Sequence, residues 1–311
     1  MATVTLVGSE PRMSLPELIK RFNREDKCRA YLEELRWPKG PVCPKCEKKN
    51  IARVGGREEV LRCTDCQHQF TVTVGTIFHD SHLPLSKWFL VAYLICESKK
   101  GMSALQLKRL LDIGGYKTAW YLCHRIRQAM MAANGEEPKL SGVVEVDDTW
   151  IGGKARRNRP IPEKINVVGM VERDGRLRLS VVPDLSTLSL EKAIKKNIGR
   201  NIDLIITDEW AAYVRAVGPT YKKKYRRIKH AQSYVVGDIH TNSIENAFSL
   251  LKRGIIGSWH KVSVKHLQRY LEEVAFRFSQ RKNPALFSLT LLNLLTTDPL
   301  TFKTLTKEKA A

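Results

Sequence analysis

No part of this chain is apolar for long enough to cross a bilayer. The longest uninterrupted apolar run, Trp88 to Cys96, is nine residues, about half of the ~20 that a membrane helix needs. The first residues lack a charged start followed by an apolar core, so no secretory leader is expected and a soluble, cytoplasmic protein is. No glycine-rich phosphate loop is present, which leaves no sequence basis for ATP use. Internal repeats and low-complexity tracts are absent too. Acidic residues are scarce: 32 Asp and Glu stand against 53 Lys and Arg, a formal net charge of +21. That excess creates a field attracting phosphate backbones or anionic membrane surfaces, and the missing apolar anchor makes the membrane the weaker of the two. With 43% hydrophobic residues over 311 positions, there is ample apolar material for packed cores and length for about two domains.

Seven cysteines are present, and four make a pattern: Cys43-Pro-Lys-Cys46, sixteen intervening residues, then Cys63-Thr-Asp-Cys66. This is zinc-ribbon spacing, in which each pair offers two thiolates on a tight knuckle and two knuckles close a tetrahedral site. Structural zinc there would stabilise a segment too small for a large core. Disulfides fit poorly with a reducing cytoplasm. Cys28, Cys96 and Cys123 have no such spacing and are expected to be ordinary buried residues.

After the ribbon, whose closing strand alternates over Gln69 to Val74, Leu85 to Glu97 reads as an apolar helix. Two more helices, about Met102 to Asp112 and Thr118 to Ala132, flank Gly114-Gly115 in the outline of a helix-turn-helix. In the last of these, Trp120, Cys123, Ile126 and Met130 recur at helical spacing and are expected to face a core. Thr118, Tyr121, Arg125 and Gln128 line the other side and suit phosphates and base edges; a purely structural three-helix unit is the alternative. Small, turn-forming and charged residues from Ala132 to Pro138 mark a domain boundary.

From Ser141 onward the expected elements are a strand at Val143–Trp150, a hairpin of Asn166–Glu172 and Arg176–Val182, and a helix at Leu188–Ile198. A buried strand at Asp203–Thr207, a short helix at Glu209–Val217, a fifth strand near Arg226–Tyr234 and a helix at Ser243–Lys252 follow. That is the element order of a ribonuclease H-like α/β fold, a mixed five-stranded sheet with helices. In it the first and fourth strands are neighbours, which sets Asp147 and Asp208 side by side, and Glu245 enters from the last helix. Crowded carboxylates repel unless a cation neutralises them, and two Mg²⁺ or Mn²⁺ ions roughly 3.5 to 4 Å apart do so, one activating the attacking oxygen and the other stabilising the leaving oxygen. Hard oxygen donors in a strongly basic chain point to metal-assisted chemistry on a polyanion, DNA above all. Glu145 and Asp147 share a strand face and Asp148 points opposite. Lys252, two helical turns past Glu245, shares its face and can reach DNA there. Asn242 or Ser243 is expected to cap that helix.

Several motifs in order carry a resemblance. They are Trp37-Pro-Lys-Gly with the two knuckles, Val74-Gly-Thr-Ile-Phe-His-Asp, Ser98-Lys-Lys-Gly and Tyr116-Lys-Thr-Ala-Trp. Then come Glu145-Val-Asp-Asp-Thr-Trp-Ile-Gly-Gly-Lys154, His240-Thr-Asn-Ser-Ile-Glu245 and Leu251-Lys-Arg-Gly-Ile-Ile-Gly. The chain resembles, over nearly its whole length, insertion-sequence transposases of the family numbered fifteen ninety-five, the ISXO-two-like group. The resemblance implies a DDE transposase of the bacterial cytoplasm, associated with the nucleoid, in which Asp147, Asp208 and Glu245 hold the catalytic metals and Lys252 assists. Thirty-six residues separate Asp208 from Glu245, a spacing this family uses.

The implied reaction needs no protein nucleophile: water cuts at an element end and the freed 3′ hydroxyl attacks target DNA. Joining two ends calls for at least two active sites, so a homodimer on DNA is expected. Basic residues around the acids, Lys154, Arg156, Arg157 and Arg159, then Lys222 and Lys223, then Arg253, would meet phosphates; Tyr221, Tyr225 and Trp259 either stack on unpaired bases or pack on Lys and Arg stems. The expected domains are an N-terminal helical segment (1–40), the ribbon (41–75), the helix-turn-helix-like domain (76–137), the ribonuclease H-like domain (138–285), whose Val264–Arg281 helix packs on it or on a second subunit, and a tail (286–311). A silent DNA-binding regulator and a nuclease that cuts without joining are the alternatives.

Overall fold

The structure, a computed structural model, describes residues 12–152, 164–173, 175–228 and 240–307. The chain divides into two units: one comprises the described residues up to Ser98 with Met102–Ala133 and Lys282–Lys307, the other Lys99–Gly101 and Asn134–Arg281. Among the described residues no helix is long and apolar enough to cross a membrane.

In the first unit, α1 (Leu15–Arg21) begins at Ser14, whose hydroxyl oxygen accepts from the Glu17 N–H, and has proline in its first turn. Next come α2 (Glu25–Arg36) and an antiparallel sheet of β1 (Ile51–Val54), β2 (Arg57–Cys63) and β3 (Gln69–Phe70) in that order. α3 (Leu85–Glu97), α4 (Ala104–Leu110) and α5 (Tyr116–Glu136) follow. α3 buries Trp88, Phe89, Val91, Ala92, Ile95 and Cys96, so it is covered nearly all round, as its uniform apolarity demands. Phe22, Tyr31, Phe89 and Phe287 stack around it with ring centroids 4.9 to 6.4 Å apart.

Phe287 belongs to the stretch expected as a tail. Residues 286–307 instead form two helices, Leu286–Thr296 and Phe302–Lys307, within the first unit. Ser288 Oγ is 2.7 Å from Tyr31 Oη, Thr290 Oγ1 is 3.1 Å from Cys96 Sγ, and Leu294 O accepts from the Ile77 N–H. The reason is legible in Leu-Phe-Ser-Leu-Thr-Leu-Leu-Asn-Leu-Leu, too apolar to remain in water.

The polar face assigned to α5 needs correction. Cys123, Ile126 and Met130 are buried as expected, but so is Arg125, 4% exposed. Its guanidinium donates to His79 O and lies over the Trp88 ring. Tyr121 donates to Leu300 O and sets its ring edge-on to Phe302. Helical periodicity presumes one buried face, whereas α5 is covered on more than one side by segments distant in sequence. Thr118 is exposed. α5 also runs through Asn134-Gly135, where the sequence suggested a loop, and the division between units falls inside it.

The second unit is built on β4 (Leu140–Ile151), β5 (Ile165–Glu172), β6 (Leu177–Val182), α6 (Thr187–Asn197), β7 (Ile198–Asp208), α7 (Ala211–Tyr221), β8 (Tyr225–Ile228), α8 (Asn242–Gly254) and α9 (Val264–Ser279). The sheet order is β6-β5-β4-β7-β8, antiparallel through β6-β5-β4 and parallel through β4-β7-β8. Alternation along the strands makes two cores: Val144, Val146, Met170 and Ile205 pack with Leu190 and Tyr213 from α6 and α7. Val167, Val171 and Leu179 pack with Phe248, Leu251, Leu271 and Val274 from α8 and α9. The α9 stripe of Leu267, Leu271, Val274 and Phe278 is thereby spent on the unit's own sheet. β7 starts five residues before the expected Asp203, because Ile198 and Ile202 already pair with Leu140 and Gly142.

Gly169 of β5, the register partner of Asp147, is what lets α8 approach the sheet. A Cβ there would stand 2.6 Å from Ile244 Cδ1 and 2.8 Å from Phe248 Cε1. We expect Gly169→Ala to destabilise the second unit by about 1–3 kcal/mol, read as a lower melting temperature. An unchanged transition would show that α8 yields freely.

Candidate functional site

Two sets of chemically reactive side chains stand out, one in each unit. In the first, Cys43, Cys46, Cys63 and Cys66 place their sulfurs all within 4.8 Å of one another, with Cys43–Cys66 and Cys46–Cys63 each 3.6 Å apart. A tetrahedron with zinc–sulfur arms of ~2.3 Å has edges of ~3.8 Å, so these thiols fit structural zinc. Both knuckles are built alike. The N–H of Glu47 donates to Cys43 O and that of Gln67 to Cys63 O, each at 2.9 Å, and both residues turn the chain with φ of 60° and 58°. Among the described residues this is the one group of three or more potential ligands so closely spaced.

The acids of the second unit are arranged by the sheet. β4 pairs with β7 through Val144–Ile205 and Glu145–Ile206, and continuing that register brings Asp147 beside Asp208 at the end of β7. Asp208 Oδ1 accepts from the Trp210 N–H. Glu245 lies in the first turn of α8 and is exposed, and Thr241 Oγ1 donates to its Oε1 at 3.1 Å. An open groove of about 410 Å³ is lined by Asp147, Asp148, Glu245, Lys252, Arg253 and Ile256. The three acids expected from the sequence do not reach the mutual 4.8 Å spacing of the thiols, yet they feel one another. Burial pushes the Asp147 carboxyl up to about 7; the Asp148 amide opposes this, and the charges of Asp148, Asp208 and Glu245 add to it. Burial also raises Asp148, against a 3.0 Å bond from the Tyr213 hydroxyl on the other sheet face.

The basic and aromatic residues divide. Lys252 and Arg253 are exposed on α8, and Lys222 and Lys223 on the turn before β8, the neighbour of β7. Lys154, Arg156, Arg157 and Arg159 lie outside the described residues. Base stacking, one of the two roles expected of Tyr221 and Trp259, is corrected: both are buried, Tyr221 donating to Ile198 O and Trp259 packing on Tyr270. Apolar rings of that size are better removed from water than shown to it. Tyr225 is half-buried with its hydroxyl on Thr207 Oγ1. Neither Asn242 nor Ser243 caps α8 with its side chain. That place is taken by Glu145, a fully buried carboxylate of β4 that accepts from the N–H groups of Ser243 and Ile244 at 2.8 and 3.2 Å. Its position beside Asp147 on the strand face was visible in the sequence; its partner was not.

Two outcomes are expected here. Cys66→Ser should bind substoichiometric zinc and expose the ribbon to proteolysis, measured by metal analysis and limited digestion. The Asp147 effect has a definite sign: a folded value above the usual 3.8 means that the folded chain holds the proton more tightly than the unfolded one. Stability from this group is therefore present at low pH and lost as pH rises from about 4 to about 7. Without added divalent ions, Asp147→Asn should be more stable than wild type at pH 8, on the order of 2–4 kcal/mol, with the gap narrowing toward pH 4. Equal melting curves at pH 8 would contradict the burial.

Residues 139–279 match the family model of the ISXO2-like transposase domain, and residues 23–69 match that of the transposase zinc-ribbon domain. The first span contains the three acids and Lys252, the second all four clustered cysteines. A protein of Halobacterium salinarum described as an uncharacterized protein in transposable element ISH50 is 27% identical over 288 residues, 86% of this chain and 95% of its own length. The chain thus carries a transposase zinc-ribbon domain followed by an ISXO2-like transposase domain.

Proposed function

We propose that this transposase cuts DNA at the ends of its element and joins the freed 3′ ends to target DNA, in a ribonuclease H-like unit, with Asp147, Asp208 and Glu245 as the essential acids. The observation that carries this reading is the convergence of carboxylates from β4, β7 and the start of α8, close enough that their mutual repulsion helps lift Asp147 to about 7. The sheet order β6-β5-β4-β7-β8 supports the fold assignment. Hard carboxylate oxygens crowded in this way fit Mg²⁺ or Mn²⁺, and Asp147, Asp208 and Glu245 are the residues that would hold two such ions. When bound, the ions supply charge stabilisation to the attacking and leaving oxygens of an in-line displacement.

The protein's own part is placement. β4 and the end of β7 fix the two aspartates, α8 brings Glu245 to the groove that Asp147 lines, and Lys252 offers a point charge to the scissile phosphate from that helix face. The groove is open, as a duplex requires. Thr118, Lys222, Lys223 and Arg253 remain candidates for DNA contact, being exposed; Arg125 is withdrawn from that role by its burial, and Tyr121 by its bond to Leu300 O and its packing on Phe302 in the first unit. A dimer on the element ends follows from the need for two active sites, and DNA binding would hold the protein at the nucleoid in the cytoplasm.

The test is cutting and joining of DNA carrying the source element's ends, with Mg²⁺ or Mn²⁺. Asp147→Ala, Asp208→Ala and Glu245→Ala should each lose about a thousandfold or more in rate while binding DNA normally, and Lys252→Ala should lose about ten- to a hundredfold. A wild type that binds the ends and never cuts with either ion would leave a DNA-binding regulator in its place. Cutting without joining would leave a nuclease.

A further inference from the structure

Three acids stand within four residues of β4, and each has a different partner. Asp147 faces the groove, Asp148 takes the Tyr213 hydroxyl, and Glu145 is held at the start of α8. The Glu145 side chain is fully buried. Its Oε2 accepts from the Ser243 and Ile244 N–H groups at 2.8 and 3.2 Å, and its Oε1 from Ser243 Oγ and Arg173 Nε, both at 3.1 Å. His240 Nδ1 is 3.3 Å from the same Oε1. A buried carboxylate is costly unless charge and hydrogen bonds compensate it. Here one cation, one hydroxyl and two amides at the positive end of a thirteen-residue helix do so.

We propose that Glu145 is a positioning residue: it ties the first turn of α8 to β4 and thereby sets where Glu245 stands relative to Asp147. The role rests on the activity proposed above. Glu145 and Asp147 lie two residues apart on one strand, and Ser243 and Glu245 two residues apart in one helical turn, so the carboxylate–amide bonds link the two acids through two short, stiff segments. Gly169 lets the helix approach; Glu145 fixes how far along the strand it sits. A helix held only by its apolar stripe of Ile244, Phe248 and Leu251 could slide along the sheet. The directed bonds to Glu145 do not allow that. Lys252 moves with the same helix.

Amide hydrogen exchange of the full-length protein, with rates of cutting at saturating DNA, tests this. In Glu145→Ala the amides of residues 243–247 should exchange about tenfold faster or more, with β5 and α9 unchanged. Cutting should slow about ten- to a hundredfold, with DNA affinity within about twofold of wild type, since no DNA contact is removed. Glu145→Gln keeps one acceptor oxygen for the two amides but turns its NH2 toward Arg173 Nε, so it should recover the protection and rate only in part. Should Glu145→Ala fail to fold, Glu145→Asp, equally charged but one methylene shorter, should loosen residues 243–247 and slow cutting. Unchanged exchange at residues 243–247, exchange rising equally across the whole unit, or cutting at the wild-type rate in Glu145→Ala or Glu145→Asp would overturn the proposal. If wild type itself never cuts, the proposed activity falls, and exchange at residues 243–247 alone decides whether Glu145 anchors α8.

Discussion

Negative charge packed against an apolar sheet is the constraint around which the second unit is organised. β4 brings Glu145, Asp147 and Asp148 into the middle of the sheet, and β7 adds Asp208 at its side. Each carboxylate is handled differently: Arg173 and the amides of α8 surround Glu145, Tyr213 donates to Asp148, and Asp147, among the described residues, accepts from the amide of its neighbour alone. The least compensated acid is the one whose carboxyl is pushed up to about 7, and it faces the open groove. An uncompensated buried acid is a cost to the fold that a bound cation would relieve, which is the expected relation between stability and function at such sites.

The first unit solves a different problem. The ribbon around Cys43 to Cys66 has a core of only a few side chains, Leu61 and Phe70 with the cysteines themselves, and depends on its thiol cluster. The helices are held by apolar burial, with α3 at the centre and the 286–307 helices closing over it. That closure takes the Tyr121 hydroxyl and half-buries the residue that the sequence offered to DNA.

Much of the fold was legible because its signals are local. Cysteine spacing gave the ribbon, alternation gave β5 and β6 within a residue and β4 with a start three residues too late, and helical periodicity gave α3, α8 and α9 within a residue or two. The apolar density of residues 286–296 is equally local, and it marks a buried helix where a tail is expected from position alone. The three acids are expected from their places near element ends and from family motifs, and the β4–β7 pairing runs to Glu145–Ile206, two residues short of Asp147 and Asp208. Arg125, Tyr221 and Trp259 went astray for one reason: a basic or aromatic side chain looks exposed or buried only once the segment covering it is known.

The sequence alone determined the chemistry available: four thiols at zinc-ribbon spacing, hard oxygen donors at the ends of strands and a helix, and a strong positive field. These depend on residue type and short spacing, which the chain carries by itself. Tertiary structure decided which acid does what. Glu145, Asp147 and Asp148 are near-equivalent carboxylates in one strand, and only the arrival of α8 on one face and Tyr213 on the other separates them. Contacts between residues 65 to 99 positions apart arise from packing, and no local pattern encodes them.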